Sequence, residues 1–209
     1  MRLFALSRTT LTACFLLLTL GSATLHAAES SANLNDSAPA SLTQTPVVQS
    51  DNPVDSLFVE LLRERDPKRA RQIADRIGAQ WSDSGSATGN LLMQWASEAI
   101  AKKKNGLALD LLDQVTVLWP EYVEGWNRRA TLHYIMDDYA KSMIDINRVL
   151  ALEPRHFGAL AGMAAILERS GKDDLALQAW EQILTVFPTN RQAQTKVGEL
   201  ADKLTGRRT

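Results

Sequence analysis

Three prolines, Pro120, Pro154 and Pro188, stand 34 residues apart in the 209-residue chain. Each closes a similar phrase: QVTVLWP, RVLALEP and QILTVFP. Proline fixes its own φ, offers no backbone donor and pushes the preceding residue out of the helical region. Helices must therefore stop at equal intervals. Sequence periods of about 20 to 50 residues mark stacked-repeat architectures, and this period accommodates two antiparallel helices per unit.

When each unit is cut two residues after its proline, three units result: 89–122, 123–156 and 157–190. The eighth residues are Ala96, Ala130 and Ala164, and the twentieth are Ala108, Ser142 and Ala176. Both columns are small. The fourth residues (Leu92, Trp126, Leu160), the twenty-fourth (Leu112, Ile146, Trp180) and the twenty-seventh (Val115, Val149, Ile183) are large and apolar. Small columns let two helix backbones approach, while large ones fill the space between them. The third unit carries the pattern most fully, and the second departs from it twice. Arg129 stands at the seventh position where an apolar residue belongs, and Asp137 stands at the fifteenth in place of glycine. Lys103 takes that fifteenth position in the first unit.

These columns resemble the tetratricopeptide repeat over about half the chain. The resemblance implies an all-α, right-handed α-solenoid of antiparallel helix pairs. Upstream, 53–88 reads as a degenerate helix pair, a fourth unit set before the first. Its apolar residues Leu57, Phe58, Leu61, Leu62, Ala70, Ile73, Ala74 and Ile77 fall at helical spacing. Asp66-Pro67 between its halves has the order of an N-cap followed by proline at the first helical position. Downstream, 191–209 reads as a capping helix, roughly Asn190 to Leu204, and a short tail. Its sparse apolar residues Ala193, Val197, Leu200 and Leu204 leave a polar outer face, as the end of a solenoid requires.

The N-terminal residues belong to a different class. Arg2 and Arg8 precede a charge-free apolar run from Leu11 to Leu20, and small residues follow. That is the order of a secretory signal peptide, read as 1–27 with cleavage after Ala27 or, alternatively, Ala28. The run is short of the roughly 20 residues a membrane span needs. The competing readings are an N-terminal membrane anchor and lipidation at Cys14, whose LTAC context is that of a lipoprotein box with its apolar run on the wrong side. The expectation is export, to the periplasm if the source is a Gram-negative bacterium. Residues 28–52, rich in Ser, Ala, Thr, Asn, Gln and Pro with no apolar period, read as a flexible linker. Cleavage removes the single cysteine, and with it disulfide and thiolate chemistry. It also takes the formal net charge from -1 to about -3, so nothing draws nucleic-acid phosphates.

The sequence offers no catalytic constellation. It contains no HExxH, no glycine-rich phosphate loop and no GxSxG. His133 and His156 sit at a packing column and a corner. Asp138 and Asp173 open second helices, where acids cap free amides. Gly158 and Gly162 read as a close helix–helix contact. The chain is therefore expected to be non-enzymatic, with no cofactor and no metal. A surface remains. In the family the chain resembles, first helices line a concave groove through their second, fifth, ninth, twelfth and thirteenth residues. The resemblance implies Met93, Ser97, Asn127, Thr131, Tyr134 and Glu168 as candidate protein-binding residues, beside the small Ala161 and Ala165. Met93 and Ser97 replace the Lys and Asn by which one branch of that family clamps a carboxylate, so that activity is not expected. The implied role is an exported interaction module for a protein or peptide, with no membrane span in the mature chain. The alternative is a structural accessory subunit that uses convex or end surfaces.

Overall fold

The computed structural model describes residues 53–206. The expectations of a signal peptide and linker fall on 1–52, outside the described residues. Among the described residues there are nine α-helices and no strand, an all-α, tetratricopeptide-like fold. Three antiparallel pairs make the stack: α1 (Pro53–Arg63) and α2 (Pro67–Ser82) precede them, followed by α3 (Ala87–Ala101) with α4 (Asn105–Leu118), α5 (Val123–Ile135) with α6 (Tyr139–Leu152), and α7 (Phe157–Arg169) with α8 (Asp173–Val186). The last helix, α9 (Arg191–Gly206), packs on α8.

The prolines act as the period requires. Trp119, Glu153 and Phe187, the residues before them, leave the helical region with φ of -129, -137 and -136°. Each corner then closes with the same backbone bond: Tyr122 to Trp119, His156 to Glu153 and Asn190 to Phe187, at 3.0–3.1 Å. The turn inside each unit also repeats. Lys103, Asp137 and Gly171 hold φ of 56, 58 and 69°. The following amide returns to the carbonyl five residues back (Lys104 to Ala99, Asp138 to His133, Lys172 to Leu167), which terminates the helix in a Schellman turn. Glycine adopts this conformation freely, whereas Lys103 and Asp137 hold it at a steric cost.

Both small columns are buried in all three units. They meet directly in the second, where the Ser142 hydroxyl donates to the Ala130 carbonyl at 2.8 Å. The misfit at Arg129 also has a physical reason. Its guanidinium makes two bonds to the buried Asp145 of α6, at 2.7 and 2.8 Å. It also donates to Asp113 and Thr116 of α4, at 2.8 and 2.9 Å. An ion-pair network thus joins units 1 and 2 where apolar contact joins units 2 and 3: Met163 and Ile166 of α7 pack with Ile146 and Val149 of α6.

The largest departure from expectation lies upstream. Helices α1 and α2 do form a pair, with Asp66 capping Arg69 and Pro67 at the first helical position. They do not stack before α3 as a fourth unit. Their buried residues, Leu57, Phe58, Leu61, Ala70, Ile73, Ala74 and Ile77, belong to one core with α7, α8 and α9. The pair lies across the proline corners, which offer it aromatic surface and charge. Trp81 stacks on His156 at 4.1 Å and leans on Phe157 at 5.2 Å. Arg155 sits 4.2 Å above the Phe58 ring and pairs with Asp55 at 2.8 Å. At the first corner the Tyr122 hydroxyl donates to the Ser82 carbonyl at 2.8 Å. Helix α2 therefore starts beside α9 and ends beside unit 1.

One of the two expected capping assignments changes. Asp138 caps α6 through the Lys141 amide. Asp173 does not occupy the cap of α8; Lys172 does, without a side-chain bond. Asp173 lies buried in the first turn, paired with Lys203 of α9 at 3.0 Å. His156, in turn, is the cap of α7: its Nδ1 accepts from the Ala159 amide at 3.1 Å.

Candidate functional site

The first helices put Asn127, Thr131 and Tyr134 on one face of α5, at the i, i+4, i+7 spacing that brings side chains into register. Opposite them, α7 presents Gly158, Gly162 and Ala165. Long side chains on one wall and almost none on the other leave an open cavity of about 170 Å³, floored by Ala130, Ser142, Ile146 and Ala159. Gly158 and Gly162 thus shape an opening rather than the tight helix contact expected of them. A Cβ on Gly162 would sit at ordinary contact distance, 3.4 Å, from Ile146.

The wall is held from behind. Asn127 Nδ2 donates to Glu124 Oε2 at 2.9 Å, and the Thr131 hydroxyl donates to the Asn127 carbonyl at 2.9 Å. Glu124 also faces His156 Nε2 at 3.5 Å and Arg128 at 3.3 Å. Burial pushes the Glu124 carboxyl up, but His156, Arg128 and Asn127 outweigh it and hold the group below the usual carboxylate range. His156 Nδ1 accepts the α7 amide, which leaves Nε2 turned toward that carboxylate. Tyr134 is half-buried, its ring 5.5 Å from Tyr139. Among the described residues, nothing hydrogen-bonds its hydroxyl.

The other candidates lie elsewhere. Met93 is buried in the core of unit 1, and Ser97 donates back to its carbonyl at 2.9 Å. Glu168 accepts from Trp180 Nε1 at 2.8 Å and from Lys196 at 3.0 Å, which ties α7 to α8 and α9. Asn127, Thr131 and Tyr134 therefore share one cavity, and Met93, Ser97 and Glu168 do not line it. Ala161 lines a second, larger cavity with α2 and α9. Nothing local in the sequence marks that cavity, because it exists only once α2 has docked.

Among the described residues, no group of three or more His, Cys, Asp and Glu side chains could hold a metal ion. No described helix is long and apolar enough to cross a membrane.

No family model matches the chain. A TPR repeat-containing protein of Rhizobium etli is 58% identical over 156 residues, covering 75% of this chain and 76% of the relative. Among solved structures, the first TPR of Spaghetti bound to the HSP90 peptide SRMEEVD aligns with a TM-score of 0.53 at 20% identity, covering 59% of this chain and 96% of that one. The Sgt2 TPR domain of Aspergillus fumigatus aligns at 0.53 and 16%, covering 59% and 84%. The MamA protein aligns at 0.50 and 14%, covering 71% and 81%. At these identities the structural likenesses speak for the fold.

Proposed function

The chain belongs to the tetratricopeptide-repeat family, and from that premise we propose that it is an exported, non-catalytic module that holds a protein or peptide segment on its concave face. One observation carries this reading: the α5/α7 cavity, where Asn127, Thr131 and an unengaged Tyr134 hydroxyl face the small residues of α7. A tyrosine offers an apolar face and a polar tip, which suits an anchor. The peptide bound to the Spaghetti domain shows that a protein of this fold holds such a ligand. Helix α2 lies against the corner side of the face at Phe157 and Ala161, so the α5/α7 cavity is the open part.

The test is capture of partners from an envelope extract of the native host. Wild type and an Asn127→Ala, Tyr134→Ala double variant are compared. The double variant is expected to lose the specific partner, with roughly 2 kcal/mol or more of binding lost at Tyr134 alone. Full retention overturns the concave reading. N-terminal sequencing of the native protein tests export: it should begin at Ala28 or Glu29, and an intact Met1 overturns it.

A second reading, an accessory subunit that joins an assembly by its end, is favoured by the uncovered side of α3. Leu91 and Trp95 are 41% and 47% exposed there. Partner loss on Trp95→Gln with the α5/α7 residues intact would select it.

A further inference from the structure

The second cavity, of about 550 Å³, is bounded by the first half of α2, the first turns of α7 and α9, and the corner before α9. Its volume is within the range of small-molecule sites. Phe157, Phe187 and Ala161 give it an apolar wall, and Lys68, Arg71 and Arg191 line it as well. The only acid in the lining is Asp75.

These three cations differ from their neighbours on the same helices. On α2, Arg69 pairs with Glu64 at 2.9 Å and Arg76 with Glu60 at 3.1 Å. On α9, Lys196 pairs with Glu168 at 3.0 Å and Lys203 with Asp173 at 3.0 Å. On these two helices, the cations outside the lining have carboxylate partners. Among the described residues, Lys68, Arg71 and Arg191 have none, and like charges gathered around one space repel unless an anion joins them. Pro67, Phe157 and Arg191 are the first residues of α2, α7 and α9, so three helix N-termini border this cavity, that of α2 capped by the Asp66 carboxylate.

We propose that this cavity binds a small organic oxyanion, a carboxylate or phosphate carried on an apolar body. The charged group lies among Arg71, Arg191 and Lys68, and the apolar body lies on Phe157 and Phe187. The proposal does not rest on the concave-face reading. The two cavities share only Gly158.

The test is calorimetric titration of the purified mature chain with phenylphosphate, phenylacetate, inorganic phosphate and benzyl alcohol. At least one phenyl anion should bind at a single site with Kd on the order of 0.1–1 mM, as expected for about ten heavy atoms. Whichever of the two binds more tightly identifies the oxyanion. Benzyl alcohol should not bind, and inorganic phosphate should bind at least about tenfold more weakly. Arg71→Gln and Arg191→Gln should each weaken binding by about fivefold or more, and the double variant should abolish it. These side chains are exposed and unpaired, so melting temperature should not move. Arg65→Gln, which removes another exposed arginine outside the lining, should leave affinity unchanged. Ala161→Phe, which fills the cavity without changing charge, should block the phenyl anions. Binding of neither phenyl anion at about 10 mM, or undiminished binding by the double variant, overturns the proposal. Inorganic phosphate binding as tightly as phenylphosphate overturns the apolar subsite.

Discussion

The two ends of the helical stack are finished differently. At one end, α9 lays Ala193 and Leu200 on unit 3 and turns Gln192, Gln194, Thr195, Glu199 and Asp202 to water. At the other end, α3 shows Leu91 and Trp95 to solvent. These are the third and seventh residues of unit 1. In unit 3 the same positions are Ala159, 1% exposed, and Met163, packed against α6. A solenoid end needs a polar outer face. The chain supplies one after unit 3 and leaves unit 1 without one, because the pair that would have covered α3 lies on the corners instead. Sequence order and stacking order are therefore separable, and a helix pair can be recruited by the far end of its own array.

The contrast predicts a stability gradient, sharpest at tryptophan. Trp180 is 2% exposed, so Trp180→Ala should cost about 3–5 kcal/mol in chemical denaturation. Ala164→Leu should cost about 1–3 kcal/mol, since its column leaves no room for added volume. Ala96→Leu, at the same position in unit 1, should cost less, because α3 has no neighbour on its outer side. Equal costs would show that α3 is as firmly braced as α7. At the turns, Gly171→Ala should cost about 1 kcal/mol, while Lys103→Gly should gain about 0.5–1 kcal/mol by relieving a left-handed lysine.

A titration tests the bracing between the ends. Glu124 has its folded pKa held below the unfolded value, so it contributes stability above the ordinary carboxylate range. That contribution is lost as pH falls through the folded value. Acid unfolding of Glu124→Gln should lack this component. An unchanged acid profile would remove Glu124 from the junction's energetics. The smallest effect belongs to the open end: Trp95→Gln should change stability by no more than about 0.5 kcal/mol. A cost approaching that of Trp180→Ala would mean that something covers α3 in solution.

The stack was legible in the sequence because its rules are local and repeated. Pro120, Pro154 and Pro188 mark the corners, and Ala96, Ala130 and Ala164 mark the close approach. Asn127, Thr131 and Tyr134 could be placed on one face because helical spacing fixes it. Met93 departs from the expectation: its position number is that of a groove residue, but its side chain folds into the core of unit 1. The path of α1 and α2 was not legible. Leu57, Phe58, Ile73 and Ile77 are apolar whichever surface they cover. What selects the surface is Trp81 on His156, and Asp55 and Phe58 on Arg155. Those partners lie too far apart in the chain for any periodicity to show them. The apolar Leu91 and Trp95 even argue for a covered α3. The second cavity was hidden for the same reason.

A plain array of repeats touches only its nearest neighbours, so it can fray from either end and its stability adds up unit by unit. Here Asp55 meets Arg155, and Ser82 meets Tyr122. The α1/α2 pair is therefore a strap that converts an open string into a closed circuit. Contacts of such long sequence separation slow folding, because a large loop must close before they form. They also link the corners, so that losing one unit loosens the strap on the others. Amide protection in units 2 and 3 should rise and fall together, as one cooperative block, while α3 exchanges ahead of it.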